Sequence, residues 1–429
     1  MEKIFKLNAH GTTISREIVA GLTTFMTMAY ILAVNPSMLG ETGMPPSAVF
    51  TATALSAAIA TLVMAFAANL PVALAPGMGL NAFFTYTVVS GMGYSWQTAL
   101  TAVFIEGILF ILLSLFNVRE AIVNAIPPNL KKSVVVGIGL LIALIGMVNS
   151  GIVVGDAGTI IALGELKSGS ALVALIGIAV IIILYSLKVR GSVLIGILVT
   201  TIIGIPFGVT SVPAGSWTPI DIPAAPLFFQ FEFTNLLTLK FFIVLFTFLF
   251  VDIFDTVGAL VGVTQQAGLM KNGEIPQVKQ AFLADAIGTV AGAALGTSTV
   301  TSYGESSVGV AVGGRTGLTS LVTAILFLLS LFLAPVFLLI PGAATGPALI
   351  IVGFLMMQSV TTIDFTDPVE GIPAFFTIII MPFGYSISEG IVYGIMSYVI
   401  LKVFTGKLKD ISVVTAFLFV IFLLRLCLS

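Results

Sequence analysis

Charged side chains are scarce in this chain. Lys, Arg, Asp and Glu make up 8% of the 429 residues, against roughly 25% in soluble domains. Hydrophobic residues make up 58%, and apolar runs near membrane-spanning length recur from about residue 15 to residue 427. The sequence therefore predicts one membrane domain over 1–429 in contact with the lipid bilayer. The near balance of 17 basic and 19 acidic residues argues against nucleic-acid binding.

Cysteine and histidine are almost absent. The single cysteine, Cys427, excludes internal disulfides and a cysteine metal cluster. The single histidine, His10, precedes the first apolar run, so histidine metal sites and catalytic triads are excluded as well. We therefore expect no enzyme activity, no metal and no cofactor. Residues 1–17 also lack the apolar core and cleavage site of a signal peptide, so the first span should stay in the mature protein.

Breaks at Gly, Pro and charged residues divide the apolar runs into two groups of seven. The first group lies near 15–34, 48–68, 72–90, 96–116, 130–149, 170–187 and 191–207. The second lies near 236–263, 278–295, 297–313, 317–334, 345–359, 370–383 and 386–404. An odd number of spans per half inverts the second half in the membrane, which predicts an all-α inverted repeat of 15–207 and 236–404. The last run, 411–427, is an interfacial helix or an additional span.

The distribution of Lys and Arg predicts the orientation. With the amino terminus inside, nearly all basic residues of the short loops face the cytoplasm, and only Lys167 and Lys240 fall outside. We therefore expect a multi-pass protein of the inner (plasma) membrane with a cytoplasmic amino terminus. A homodimer is compatible with the sequence.

Two spans at matching positions of the repeats look interrupted. Residues 71–85 and 296–317 each begin with an extended stretch, reach a Gly, and then start a short helix with Asn81 or Glu305 in its first turn. The stretch 297–302 suits a short strand that 73–76 could pair with. Interrupted spans in both repeats point to a transporter binding site, because broken backbone is tolerated at that depth where it lines a cavity. The alternative is two ordinary helices kinked by Gly and Pro.

Four acids fall inside the predicted spans of the second half. Asp252 and Asp255 lie three residues apart on nearly one face of the eighth span. An Asp at the centre of a spanning helix costs roughly 2.5 to 3.5 kcal/mol, which makes it a functional candidate. Glu305 could bind a ligand or only cap its own short helix. Asp285 lies among small residues and could serve function or hold the scaffold together.

One further acid and three aromatic residues are also candidates for the binding site. Glu106 in the fourth span has both a functional and a structural interpretation. Aromatic residues flank the two interruptions at Phe83, Phe84 and Tyr303, where a ring could stack on a planar ligand. With 33 Phe in the chain, core packing is the competing interpretation.

Several stretches together resemble one family. These are GLTTFMTMAYILAVNP (21–36), PGMGLNAFF (76–84), VDIFDTVG (251–258), TSYGESSVGVAVGGRTG (301–317) and IPAFFTIIIMPFGYSISEGI (372–391). In these stretches the chain resembles the AzgA-like guanine/hypoxanthine permeases of the nucleobase–ascorbate transporter superfamily. The run Tyr303-Gly304-Glu305 is similar to the Tyr-Gly-Glu of uracil permeases, where the Glu binds the base. Glu305-Ser306 differs from the Gln-Asn type of pair in the ascorbate/xanthine branch.

The resemblance implies a uracil-permease-like fold with a core and a gate in each repeat. The core would comprise 15–116 and 236–334, and the gate 130–207 and 345–404, with transport by an elevator-like movement of core against gate. It implies proton symport of a purine nucleobase, hypoxanthine or guanine, driven by the proton gradient. The implied substrate-binding residues are Asn81, Phe83, Phe84, Asp255, Tyr303, Gly304 and Glu305. The implied proton-coupling residues are Asp252, Asp255, Asp285 and Glu305.

Other functions stay open beside this one. A permease of the same fold could prefer adenine or another nucleobase. Anion carriers share the architecture, but several acids at the site would repel a dianion. An intramembrane aspartyl protease also needs two buried aspartates, but it takes them from two helices through motifs that the stretch around Asp252 and Asp255 lacks.

Overall fold

The computed structural model describes residues 2–428 except 116–126, 157, 168, 214–217, 235 and 271–274. Residue 116, the predicted end of the first core segment, lies outside the described residues. The elements of the first half are α1 (Glu2–Phe5), α2 (Ile14–Met28), α3 (Ile31–Gly40), α4 (Pro46–Val63), β1 (Leu74–Pro76), α5 (Met78–Ala82), α6 (Trp96–Leu115), α7 (Pro128–Asn149), β2 (Val153–Asp156), β3 (Ile160–Leu163), α8 (Gly169–Ser186) and α9 (Ser192–Gly204).

The second half follows a similar order of elements. They are α10 (Leu239–Gln266), α11 (Val278–Leu295), β4 (Val300–Ser302), α12 (Ser306–Ala311), α13 (Gly317–Ser330), α14 (Ala334–Leu338), α15 (Gly342–Met357), α16 (Pro368–Phe383), α17 (Ile387–Phe404) and α18 (Val413–Leu428). Short π-helical segments, Met64–Ala68 and Phe83–Gly91, extend α4 and α5.

The helices identify a multi-pass membrane protein. Among the described residues, 10 helical segments are long and apolar enough to cross a membrane, and Ser192–Gly204 and Pro368–Phe383 are shorter apolar helices. The two interrupted segments, β1 with α5 and β4 with α12, lie where the sequence predicts broken spans. A mostly helical fold is therefore confirmed, while the number of fourteen crossings and the inverted repeat stay predictions.

The helices fall into two sets by their most extensive contacts. In one set α11 packs against α4 and α6, and α13 packs against α2 and α4. In the other, α7 packs against α15 and α16, and α16 packs against α17. Small residues allow the close approach of α7 to α15, since a Cβ on Gly146 would lie 2.6 Å from the Gly346 carbonyl oxygen. The predicted core and gate segments supply these two sets, and the division itself stays a prediction.

Helix α10 lies where the two sets meet. It packs against α6 and β4 of the first set and makes smaller contacts with α7 and α17 of the second. The last helix, α18, packs against α17, and its Phe422 ring lies 6.2 Å from the Phe246 ring of α10. The carboxyl-terminal helix therefore lies beside α17 of the second set and beside α10.

Glu232 fixes the loop that precedes α10 to the start of α6. Its carboxylate accepts hydrogen bonds from Ser95 at 2.5 Å and from Thr234 at 2.8 Å. Its backbone carbonyl accepts a third from Thr101 at 3.0 Å. Hydrogen bonds from Ser95 and Thr234 favour the ionised form and lower the pKa of Glu232. The long connection between the two halves is thus attached to the helix set that contains β1 and β4.

Candidate functional site

Two short strands cross inside the helices and place the candidate residues. β1 pairs antiparallel with β4 in the register Leu74 with Ser302, Ala75 with Thr301 and Pro76 with Val300. The pairing continues beyond both strands, because the Gly77 amide donates to the Thr299 carbonyl and the Tyr303 amide donates to the Ala73 carbonyl. The predicted pairing of 73–76 with 297–302 is therefore confirmed. Each strand satisfies the other's backbone groups at a depth where lipid could not.

Glu305 follows β4 and meets a side chain from the first span. The Tyr30 hydroxyl donates a hydrogen bond to Glu305 Oε1 at 2.5 Å. Tyr30 is buried and occupies the break between α2 and α3, whereas Glu305 is partly exposed. One carboxylate oxygen is thus held by the protein, and the group borders open space.

Two glycines on either side of Glu305 have opposite surroundings. Gly304 is exposed, and a Cβ placed on it would meet no atom within 4 Å among the described residues. A Cβ on Gly309 would lie 2.0 Å from the Thr24 hydroxyl oxygen of α2. Gly309 therefore allows α12 to contact α2 closely, while Gly304 keeps a free space beside the carboxylate.

Asp255 borders the same kind of open space from α10. It is partly exposed, and one turn later Gly258 is exposed with no described atom within 4 Å of an added Cβ. A Cβ on Gly79 of α5 would lie 3.7 Å from Asp255 Oδ2, so this carboxylate lies against the helix that follows β1. The elements after both strands, α5 and Glu305 with α12, thus lie in the region where α10 presents an acid.

Asp252 and Asp285 belong to a separate, fully buried cluster. Both have 0% exposure. The Thr256 hydroxyl oxygen lies 2.7 Å from Asp285 Oδ1 and 3.3 Å from Asp252 Oδ1. It also lies 2.7 Å from the Thr301 hydroxyl of β4. Asp252 and Asp255, which the sequence places on one face, therefore have different surroundings: one is enclosed with Asp285, and the other is partly exposed.

Asn81 is buried behind the strand crossing. It has 0% exposure, and its Oδ1 accepts a hydrogen bond from the Ser298 hydroxyl. Its Nδ2 has no hydrogen-bond partner among the described residues. A buried amide with unused donors is costly unless another group satisfies it. The Asn81 side-chain N–H groups are thus available to a ligand, and the role of Asn81 in binding stays a prediction.

The aromatic candidates are buried rather than displayed. Phe83 and Phe84 have 0% exposure, and the Phe83 ring packs edge-on against Phe248 at 4.8 Å. Tyr303 is 5% exposed, and its hydroxyl donates to the Pro76 carbonyl at 2.6 Å. In this structure Tyr303 therefore supports the strand crossing, Phe83 and Phe84 belong to the buried core, and stacking on a ligand stays a prediction.

Several polar residues in and around the site could not be recognised from the sequence. Tyr30 and Thr256 are the main examples, and both lie in stretches that carry the family resemblance. Glu17 is another: its buried carboxylate accepts from the Arg315 amide at 2.9 Å and from the Thr319 hydroxyl at 2.6 Å. Glu17 thereby caps the start of α13 and ties it to α2. Glu106, for which the sequence allows both a functional and a structural interpretation, accepts a hydrogen bond from the Thr299 hydroxyl at 2.6 Å.

The described residues contain no group of three or more His, Cys, Asp or Glu side chains placed to hold a metal ion. What the site offers is carboxylates at the edge of open space, hydroxyls and one amide. Such groups bind a polar organic ligand by hydrogen bonds, with the carboxylates accepting from its N–H groups.

Sequence comparisons place the chain among known transport proteins. The profile of the Permease family matches residues 15–393. The guanine/hypoxanthine permease PbuG of Bacillus subtilis is 45% identical over 99% of this chain and 99% of its own length. The adenine permease AdeQ of Escherichia coli is 43% identical over 100% of this chain and 96% of its own length. These matches confirm the resemblance drawn from the sequence stretches.

A solved structure shares the fold. The transmembrane domain of the cyanobacterial bicarbonate transporter BicA aligns with a TM-score of 0.65 and 16% identity, covering 89% of this chain and 97% of that one. At this identity the likeness shows the fold alone. The expectation that anion carriers share the architecture is confirmed.

Proposed function

This chain belongs to the Permease family, and we propose that it imports purine nucleobases, hypoxanthine and guanine, by proton symport across the plasma membrane. The observation that carries the proposal is the position of Glu305 and Asp255, two carboxylates that border open space beside the crossing of β1 and β4. Full-length similarity to permeases for guanine/hypoxanthine and for adenine supports a purine substrate. Membership of a permease family argues against the protease alternative.

The chemistry of the site fits an oxopurine. Hypoxanthine and guanine present ring N–H groups beside a carbonyl at position 6. Carboxylates accept such N–H groups, and the unused donors of Asn81 could serve the carbonyl. Tyr30 holds one oxygen of Glu305, which leaves the second oxygen for the base. The aromatic residues Phe83, Phe84 and Tyr303 would then enclose the base after they rearrange.

Coupling to protons would use the acids around the site. In addition to Glu305 and Asp255, the buried cluster of Asp252, Asp285 and Thr256 can share one proton. A proton on Asp252 or Asp285 would remove a buried charge at an apolar depth. The cluster contacts β4 through the Thr301 hydroxyl. A change in the protonation state of the cluster would therefore change the hydrogen bonding at the strand crossing.

Movement between the two helix sets would carry the base across the bilayer. The site lies mainly on elements of the set that contains β1 and β4, and contacts between the sets are the sparser ones. A rigid displacement of this core against the gate would expose the site to either side without breaking the denser packing. The amino terminus would lie in the cytoplasm.

Uptake of radiolabelled purines tests the proposal. The protein is expressed in a strain that lacks its own purine uptake, and labelled hypoxanthine, guanine and adenine are supplied with unlabelled competitors. We expect saturable uptake, with hypoxanthine and guanine competing best. Stronger competition by adenine would assign the chain to the adenine-preferring permeases, and no uptake of any nucleobase would overturn the proposal.

A further inference from the structure

A cavity lies near the start of α10, away from Asp255. It has a volume of ≈ 1000 Å³ and is lined by residues of both helix sets, including Tyr86, Ser90, Ile243, Tyr385 and Glu389. Ile243 precedes Asp255 by 12 residues of one helix, which at 1.5 Å per residue separates them by about 18 Å. The cavity is therefore distinct from the space beside Glu305 and Asp255. The Lys and Arg distribution predicts that it faces outside.

The lining of this cavity suits a flat polar molecule. The rings of Tyr86 and Tyr385, which both line the cavity, pack edge to face with their centres 5.9 Å apart at 89°. Ser90 is exposed and Glu389 is partly exposed, and they add a hydroxyl and a carboxylate. Ligand clefts have volumes of about 300 to 1,000 Å³ and combine aromatic walls with a few polar groups. The cavity therefore offers the features of a binding site for a planar base.

Tyr385 adopts a costly backbone conformation at this position. Its φ is 50°, in the left-handed region that residues with a Cβ rarely adopt. The Tyr385 carbonyl accepts a hydrogen bond from Thr87 at 3.5 Å across the cavity. Strained residues that the surroundings hold in place cluster at binding sites and switches. The strain points to a functional reason for the ring of Tyr385 to face Tyr86.

A three-membered contact beside the cavity joins the two helix sets. The Tyr86 hydroxyl donates to Glu41 Oε1 at 3.0 Å, and Asn149 Nδ2 lies 3.1 Å from the same oxygen and 2.9 Å from the Tyr86 hydroxyl. Glu41 follows α3, Tyr86 belongs to the segment after α5, and Asn149 ends α7 of the other set. We call Glu41, Tyr86 and Asn149 the outer contact.

We propose that the cavity is a first docking site for the purine base on its way to the site at Glu305, and that the outer contact closes the way between them. The inference rests on the proposed function. A base held against Tyr86 and Tyr385 is next to the hydrogen bonds that join the helix sets, so breaking the outer contact would give the base access to the strand crossing. The chain thus binds its substrate at two places in series.

Protection of a single cysteine tests this proposal. Ser90→Cys is placed in a Cys427→Ser background and labelled from outside with a membrane-impermeant maleimide, with and without hypoxanthine. Occupancy at ten times the half-protecting concentration leaves about one cavity in eleven open, so labelling should slow about tenfold. Thr218→Cys, outside the cavity lining, is the matched control, and its labelling rate should not change with hypoxanthine.

Two further variants separate the docking site from the site at Glu305. Protection of Ser90→Cys should persist in Glu305→Gln, because docking does not use Glu305. Tyr385→Ala should raise the half-protecting concentration at least about fivefold, as expected for the loss of one aromatic stacking partner. Size-exclusion profiles check that each variant is folded.

The outcomes distinguish the two proposals. If the unmodified chain takes up hypoxanthine but hypoxanthine does not slow labelling, or protection disappears in Glu305→Gln, the docking site is overturned and the proposed function stands. Absence of labelling at Ser90→Cys would also overturn it, because the cavity would then not be open to the outside. If the unmodified chain takes up no purine, the proposed function fails.

Discussion

Tyr30 should act on substrate binding through Glu305, and a double-mutant cycle measures this. Glu305→Gln keeps the shape and one acceptor oxygen but removes the charge. Loss of a charge-assisted hydrogen bond to a ring N–H costs about 1.5 to 3 kcal/mol, which corresponds to roughly 10- to 150-fold in affinity. Tyr30→Phe removes only the donor that lies 2.5 Å from Glu305 Oε1.

The expected loss of hypoxanthine affinity in Tyr30→Phe follows from the burial of Tyr30 and Glu305. Tyr30 is 1% exposed, so water does not readily replace its hydroxyl, but Glu305 is partly exposed and can rehydrate. We therefore expect the lower part of the range for an unsatisfied acceptor, about 1 to 1.5 kcal/mol, or roughly 5- to 13-fold weaker binding. In a Glu305→Gln background the same change should cost less than half as much, because the charge that it oriented is gone.

Calorimetric titration of purified, monodisperse variants with hypoxanthine provides the assay. Tyr398→Phe is the matched control: Tyr398 is also buried, and its hydroxyl contacts the Asp410 carbonyl at 3.4 Å, away from the strand crossing. It should bind hypoxanthine as the unmodified chain does. Full additivity of Tyr30→Phe and Glu305→Gln would refute the idea that Tyr30 acts through Glu305. Unchanged affinity in Glu305→Gln would remove that residue from the site.

Three further predictions follow from the packing, the buried cluster and the topology. Gly309→Ala should reduce the yield of folded protein on size-exclusion chromatography, because the added Cβ would overlap the Thr24 hydroxyl oxygen. Gly304→Ala should fold normally and weaken hypoxanthine binding, because its Cβ would meet no described atom within 4 Å. Equal yields of the two variants would contradict this packing. Thr256→Val should lower thermal stability by about 1 to 3 kcal/mol, since it removes a hydrogen-bond partner of a buried carboxyl; an unchanged melting temperature would argue against that hydrogen bond. Single cysteines at Thr218 and Thr361, without the native cysteine, should label oppositely with an impermeant reagent added outside, only Thr218→Cys reacting, and equal labelling would refute the orientation.

The interrupted segments were predictable because their signals are local. Pro71, Pro76 and Gly77 disfavour a continuous helix at 73–76, and the Thr-, Ser- and Val-rich stretch 297–302 after Gly296 favours a strand, so the sequence predicts that these two stretches are extended and could pair. The acids of α10 were predictable for a related reason. A carboxyl within a long apolar run stands out whatever surrounds it.

The partners of these residues were not predictable, because they depend on tertiary packing. Tyr30 and Glu305 are 275 residues apart, and a tyrosine in an apolar run has no local feature that names its partner. The same holds for the difference between Asp252 and Asp255, because the sequence does not reveal that Thr256 contacts both Asp285 and Thr301. Phe83 and Phe84 looked available for stacking, but the sequence cannot tell a ring that faces a cavity from one that packs on Phe248.

Proton-driven accumulation in proteoliposomes is the most direct test of the account. The purified chain is reconstituted in vesicles, an inward proton gradient is imposed, and internal labelled hypoxanthine is measured over time. We predict accumulation above the external concentration, which a protonophore abolishes and which Glu305→Gln strongly reduces. Hypoxanthine that only equilibrates across the membrane, with or without the gradient, would contradict proton-coupled nucleobase import by this protein.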